Sequence, residues 1–220
     1  MVQIPTPDGV ADAFFVRPAK GKHPAVLMWP DIAGLRDASR EMGRRLAAQG
    51  FAVLVVNQYY RSAKAPVLET LGDYFKPEGQ AKIKPMREAL TPARTTSDAR
   101  AFIAWLDHRG EVDNRRRLGT VGYCMGGPFA VRTAAAVPDR VGAAVSMHGA
   151  ALVTDAPDSP YRLLKDSKAA FLFAIGRNDD AKAPGDKEAL KAAAKEAARD
   201  AKVEVYPADH DWTALDAPVY

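Results

Sequence analysis

The sequence predicts an α/β protein with a mostly parallel sheet and helices on both faces. Two observations carry that expectation. Short, unbroken apolar runs recur at residues 23–29, 51–56 and 169–175, as expected of strands buried on both faces of a parallel sheet. Between them lie stretches with helical spacing, and regular alternation of the two element types marks this architecture.

The elements follow in order. Residues 2–6, a Pro7-Asp8-Gly9 turn and residues 13–17 read as a hairpin at an antiparallel edge. The strand at 23–29 runs into the loop Pro30-Asp31-Ile32-Ala33-Gly34. Residues 37–49 carry Met42, Leu46 and Ala47 at helical spacing and close at Gly50. Residues 59–92 hold Pro66, Pro77, Pro85 and Pro92 without a sustained period, which predicts a functional loop or lid. A helix is expected over 95–108, capped by Thr95, Thr96 or Ser97, with Phe102, Ile103, Trp105 and Leu106 facing the core. Further strands are expected at 118–121, 141–147 and 203–206, and helices at 128–136 and 186–201. No internal repeat, low-complexity tract or linker interrupts the chain, so residues 1–220 read as one domain.

Composition narrows the class. The chain is 47% apolar and 26% charged, ordinary for a soluble globular protein. Its formal charge is +4, and the basic clusters Arg44-Arg45 and Arg115-Arg116-Arg117 lack the interleaved aromatics of a nucleic-acid platform. One cysteine excludes an intrachain disulfide framework and suits a reducing compartment. There is no signal-peptide pattern and no apolar run of about 20 residues. The expectation is a cytoplasmic protein that binds neither nucleic acid nor membrane, a monomer or homodimer acting on a small molecule.

The most informative stretch is Gly122-Tyr123-Cys124-Met125-Gly126-Gly127, set between the 118–121 strand and the Ala-rich helix. Strand, small-residue turn and helix are the context of a nucleophile elbow, with Cys124 in the place of a serine. Glycines two before and two after let strand and helix approach closely. The helix N-terminus beside the sulfur is expected to favour thiolate.

Other reactive groups fall at strand ends, where open α/β sheets gather them. Asp179 and Asp180 follow the 169–175 strand and His210 follows the last one. Nucleophile, acid and histidine in that order is the order of α/β-hydrolases. Asp179 is the first choice of acid because it is the shorter step off the strand, and Asp180 the second. The backbone amides of Met125 and Ile32 are the candidate oxyanion donors. His148, also at a strand end, is a candidate pocket residue.

The Cys124 elbow, Pro30-Asp31-Ile32-Ala33-Gly34-Leu35, Asn57-Gln58-Tyr59-Tyr60-Arg61, the step from Gly176 to Asp179 and the Asp209-His210 loop together resemble the dienelactone hydrolase family over nearly the whole chain. The resemblance implies an α/β-hydrolase fold, hydrolysis of a small carboxylic ester or lactone by a Cys124–His210–Asp179 triad through an acyl-enzyme, and no cofactor or metal. A thioesterase or other acyl hydrolase on the same fold, or a non-catalytic thiol-sensing member, is the alternative. The family has a glutamate that contacts the resting thiol, and Asp31 takes that position here. The arginine that binds the substrate carboxylate four residues past the histidine is Ala214 in this chain. Tyr60, Arg61 and Arg87 are the remaining substrate-binding candidates from the irregular segment. Family members end in a further helix after the histidine loop, which the resemblance implies is absent before Tyr220, leaving a strip of sheet uncovered.

Overall fold

A computed structural model describes residues 1–220. Eight strands form one sheet: β1 (Val2–Thr6), β2 (Gly9–Val16), β3 (Ala25–Trp29), β4 (Ala52–Val56), β5 (Leu118–Tyr123), β6 (Val141–Met147), β7 (Ala170–Gly176) and β8 (Ala201–Tyr206). Their order across the sheet is β1-β2-β4-β3-β5-β6-β7-β8. The β1–β2 hairpin pairs antiparallel, β2 joins β4 antiparallel, and every later pair is parallel. All five residues of β3 and all five of β4 are buried, as their unbroken apolar sequences require.

Helices α4 (Pro92–Asp107), α5 (Gly126–Ala136) and α7 (Asp186–Glu196) cover one face. There Phe102, Ile103, Phe129, Ala130, Leu190 and Ala194 join Leu27, Trp29, Leu54 and Phe173 in the largest core cluster. The other face packs Val26, Met28, Val53, Val55 and Val121 against Met42 and Ala47 of α1 (Asp37–Ala48). Toward β6 and β7 that second face thins out: Val145, Met147 and Leu172 are half-buried, and Ala143 and Ala170 exposed. Residues 207–220 form turns. No helix is long and apolar enough to cross a membrane.

Several boundaries differ from expectation, each for a local reason. The segment 59–92 is not irregular throughout. It holds α2 (Leu71–Tyr74), capped by Thr70, whose hydroxyl accepts from the Asp73 amide, and α3 (Pro77–Glu88), with Pro77 at its first turn. Only Gly79 and Ile83 of α3 are buried, too few to impose a readable period. Helix α4 starts at Pro92, capped by Thr91 rather than by Thr95, Thr96 or Ser97. Helix α7 stops at Glu196, where Ala198 turns left-handed at φ 52° and the Arg199 amide reaches back to Ala194. A 3₁₀ turn at Pro160–Asp166 and the short helix α6 (Arg177–Lys182) carried no signal in the sequence.

Candidate active site

Strand β5 ends at Tyr123 and α5 begins at Gly126, so the reversal falls on Cys124 and Met125. Cys124 sits at φ 50°, in the left-handed region that side chains rarely occupy. The surrounding backbone holds it there. Its amide donates to the Met147 carbonyl at 3.0 Å, and its carbonyl accepts from Gly127 at 3.0 Å and Ala150 at 3.2 Å. A Cβ on Gly122 would fall on the Gly126 carbonyl, and one on Gly126 would lie 2.7 Å from the Pro30 oxygen. Those two glycines bring β5, α5 and the loop after β3 into contact.

That loop carries the second backbone donor. Three bonds fix the peptides around Ile32. Tyr59 donates its hydroxyl to the Ile32 carbonyl at 2.8 Å, Gln58 donates to the Asp31 carbonyl at 2.8 Å, and the Ala33 amide donates to Asp31 Oδ1 at 2.9 Å. Arg36 is fully buried and forks between two carboxylates. Its Nη1 and Nη2 reach Asp31 at 2.7 and 2.9 Å, and its Nε and Nη2 reach Asp216 at 2.8 and 2.6 Å. Burial opposes the Arg36 charge, but the bonds to Asp216 and Asp31 leave its pKa above the ordinary value. Asp31, expected to touch the thiol, therefore has both oxygens engaged elsewhere.

The acid and the histidine come from adjacent strand ends. Asp179 lies in the first turn of α6, not on a plain turn, and His210 lies in the loop after β8. His210 Nδ1 donates to Asp179 Oδ2 at 2.8 Å, and the His210 amide donates to Asn178 Oδ1 at 2.8 Å. Asp180 points away and pairs with Lys187 at 2.8 Å. Cys124 Sγ, a His210 ring nitrogen and an Asp211 carboxylate oxygen all lie within 4.8 Å of one another. These three are the donors that could hold a metal ion.

The sulfur's surroundings correct the expectation of a resting thiolate. Burial pushes the Cys124 thiol far up, and the carboxylates of Asp211 and Asp31 add to the rise. The backbone N–H groups of Met125 and Ile32 pull the other way, but do not offset the burial. Asp211 is the neighbour that the sequence did not single out. At φ 70° it turns its carboxylate inward, 3.6 Å from His210 Nε2. Its Oδ1 is shielded from solvent without a hydrogen-bond partner. Adjacency to His210 was its only signal.

The remaining candidates separate clearly. Tyr60 donates to Asp98 at 2.8 Å, and Arg61 forks onto Asp98 at 2.7 Å while pairing with Asp8. Both tie the β1–β2 turn to α4 and leave no free guanidinium for a substrate. Arg87 is exposed on α3 beside a 130 Å³ cavity shared with Tyr74, Gln80, Ile83 and Lys84. Ala214 is fully buried against the apolar cluster of Ile32, Tyr59, Leu71 and Ile83. His148 supports the elbow instead of lining an open pocket. It is buried, its Nδ1 accepts from the Cys124 amide at 3.2 Å, and its Nε2 meets Thr213 Oγ1 at 2.7 Å. With Nδ1 an acceptor, the proton resides on Nε2. Burial, aided by His210, lowers its pKa to about 3.

A mostly parallel sheet, a left-handed turn between β5 and α5, and an aspartate and a histidine at the next strand ends define an α/β-hydrolase. Within that class the chain belongs to the dienelactone hydrolase family, whose model matches residues 11–220. It is similar to a Methylorubrum extorquens protein named "Putative carboxymethylenebutenolidase", 30% identical over all of this chain and 74% of that protein. A protein of the same name from Escherichia coli K12 is 28% identical over 99% of this chain and 78% of its own length. The crystal structure titled "Putative Dienelactone Hydrolase" from Klebsiella pneumoniae superposes with a TM-score of 0.83 at 25% identity, covering 99% of this chain and 89% of that one. The chain is accordingly a hydrolase acting on lactones or esters.

Two outcomes follow from this geometry. Replacing Arg36 by leucine leaves Asp31 and Asp216 as unpaired carboxylates, and should lower stability in urea denaturation by about 3–5 kcal/mol. His148 takes up a proton more readily unfolded (ordinary pKa near 6.5) than folded (about 3), so its contribution is complete above pH 6.5 and is lost as pH falls toward 3. Between pH 7 and 4.5 the loss should be about 2–3 kcal/mol, and a His148→Gln variant should show a correspondingly flatter profile of unfolding free energy against pH.

Proposed function

We propose that the chain hydrolyses small carboxylic esters or lactones with Cys124 as nucleophile, His210 as proton shuttle and Asp179 as its orienting acid. The observation that carries this reading is the line from Asp179 through His210 to the sulfur, ending where the Met125 and Ile32 amides converge.

A thiol held neutral sets the sequence of events. As the sulfur attacks the carbonyl carbon, His210 Nε2 takes the thiol proton, so the charge develops during attack instead of standing beforehand. Asp179 keeps the Nδ1 proton in place and stabilises the imidazolium. The carbonyl electron pair moves onto oxygen, where the Met125 and Ile32 N–H groups receive it. Collapse breaks the C–O bond and His210 returns the proton to the leaving alkoxide. Water then attacks the thioester with His210 again as base, releasing the acid and restoring the thiol. The 4.8 Å cluster closes to hydrogen-bond distance as substrate fills the site, which is usual for catalytic contacts in a free enzyme.

Substrate preference follows from the charges. The position that holds a carboxylate-binding arginine in the family is a buried alanine here, Arg36 is saturated, and Asp211 and Asp31 make the centre electronegative. Uncharged acyl groups fit this centre better than carboxylate-bearing lactones.

Turnover of p-nitrophenyl acetate is the direct test. Cys124→Ala should abolish it, Asp179→Asn should lower kcat by about 10²–10⁴-fold, and Asp180→Asn should change it less than about twofold, since that residue only pairs with Lys187. Equal rates for wild type and Cys124→Ala would remove the reading.

A further inference from the structure

We propose that Cys124, His210 and Asp211 form a reversible site for one borderline divalent transition-metal ion of the zinc(II) class, and that occupancy switches hydrolysis off. The inference rests on donor positions and holds whichever acyl substrate the enzyme takes.

Three features of the cluster point the same way. The first is spacing. Bonds of about 2.0–2.3 Å in a tetrahedral shell place neighbouring donor atoms roughly 3.2–3.7 Å apart. His210 Nε2 and Asp211 Oδ1 are 3.6 Å apart, too far for a hydrogen bond, and the sulfur completes a trio within 4.8 Å. The second is the unpaired oxygen. Asp211 Oδ1 is shielded from solvent and has no hydrogen-bond partner, and a buried acceptor left unsatisfied is costly. A cation between it, the imidazole and the sulfur would satisfy it. The third is the support behind the histidine. His210 directs Nδ1–H to Asp179 at 2.8 Å, which fixes the tautomer with Nε2 free to ligate, as in carboxylate–histidine–zinc arrangements.

Donor chemistry selects the ion. One sulfur, one imidazole nitrogen and one carboxylate oxygen suit zinc and its neighbours, and disfavour magnesium or calcium, which take oxygen shells. His148 Nδ1 lies 3.7 Å from Asp211 Oδ1 but already accepts the Cys124 amide, so it is no ligand. Cys124 and His210 are only half-buried, and an ion can reach them from solvent. On binding, the S–H bond breaks, the proton leaves to solvent and a sulfur–metal bond forms. Nucleophile and proton shuttle are then both occupied.

Cobalt(II) makes the site visible. The full chain, dialysed against chelator, should develop a thiolate-to-cobalt charge-transfer absorption that saturates at one ion per chain and disappears on adding zinc. Zinc should inhibit p-nitrophenyl acetate hydrolysis, and EDTA should restore it. Asp211→Asn should weaken cobalt binding at least about tenfold, and Asp179→Asn about 10–100-fold. Asp211→Gly, which accepts the left-handed backbone, serves if circular dichroism shows the asparagine variant unfolded. Absence of the absorption in wild type, or unchanged cobalt affinity in the folded Asp211 variant, would overturn the proposal. Hydrolysis by the chelator-treated protein, compared with Cys124→Ala, judges the hydrolase reading separately.

Discussion

The structure depends on one close approach: β5, α5 and the loop after β3 meet with no side chain between them at Gly122 and Gly126. That contact bends the chain sharply enough to force Cys124 into the left-handed region, and a residue so placed must project away from both strand and helix. It also brings the Ile32 and Met125 peptides near the sulfur, so the two N–H groups that lower its pKa come from different parts of the chain. The positions of the proposed nucleophile and of its proposed oxyanion donors are thus one constraint, fixed before any acid or base is considered.

Electrostatics then determine how the sulfur behaves. The Asp211 carboxylate lies beside it and Asp31 acts on it from the Arg36 junction, against two backbone N–H groups and a partly buried imidazole. Around this half-buried sulfur the burial and the carboxylates outweigh the N–H groups and raise the thiol pKa, which favours the protonated form. Such a group survives oxidants and stray electrophiles better than a standing thiolate would, because reactivity follows the ionised fraction. On the proposed mechanism, reactivity is induced by the substrate.

Much of this was legible in the chain, and the illegible parts share a cause. The β3 and β4 runs and the elbow glycines are local patterns, and each maps onto what the structure shows. Helix α3 hid because it lies on the surface with only Gly79 and Ile83 buried, and because Pro77 and Pro85 read as breakers, although Pro77 falls in the first turn, which tolerates proline, and Pro85 lies inside the helix. Arg36 and Asp216 were invisible for a different reason. Their importance comes from partners up to 180 residues away, and no spacing rule encodes a contact of that range. Tyr60 and Arg61 erred in the opposite direction: they sit where a ligand-binding pair would in the sequence, yet the fold spends them on Asp98 and Asp8.

The fork of Arg36 between Asp31 and Asp216 links the oxyanion loop to the far end of the chain. Asp216 also accepts the Leu71 amide at 2.9 Å, bringing the start of α2 into the same junction. Strain or modification near Asp216 would therefore tug on the Ile32 peptide, the proposed oxyanion donor. On the proposed mechanism, changes at a residue remote from the chemistry would then surface as slower acyl transfer with unaltered substrate affinity.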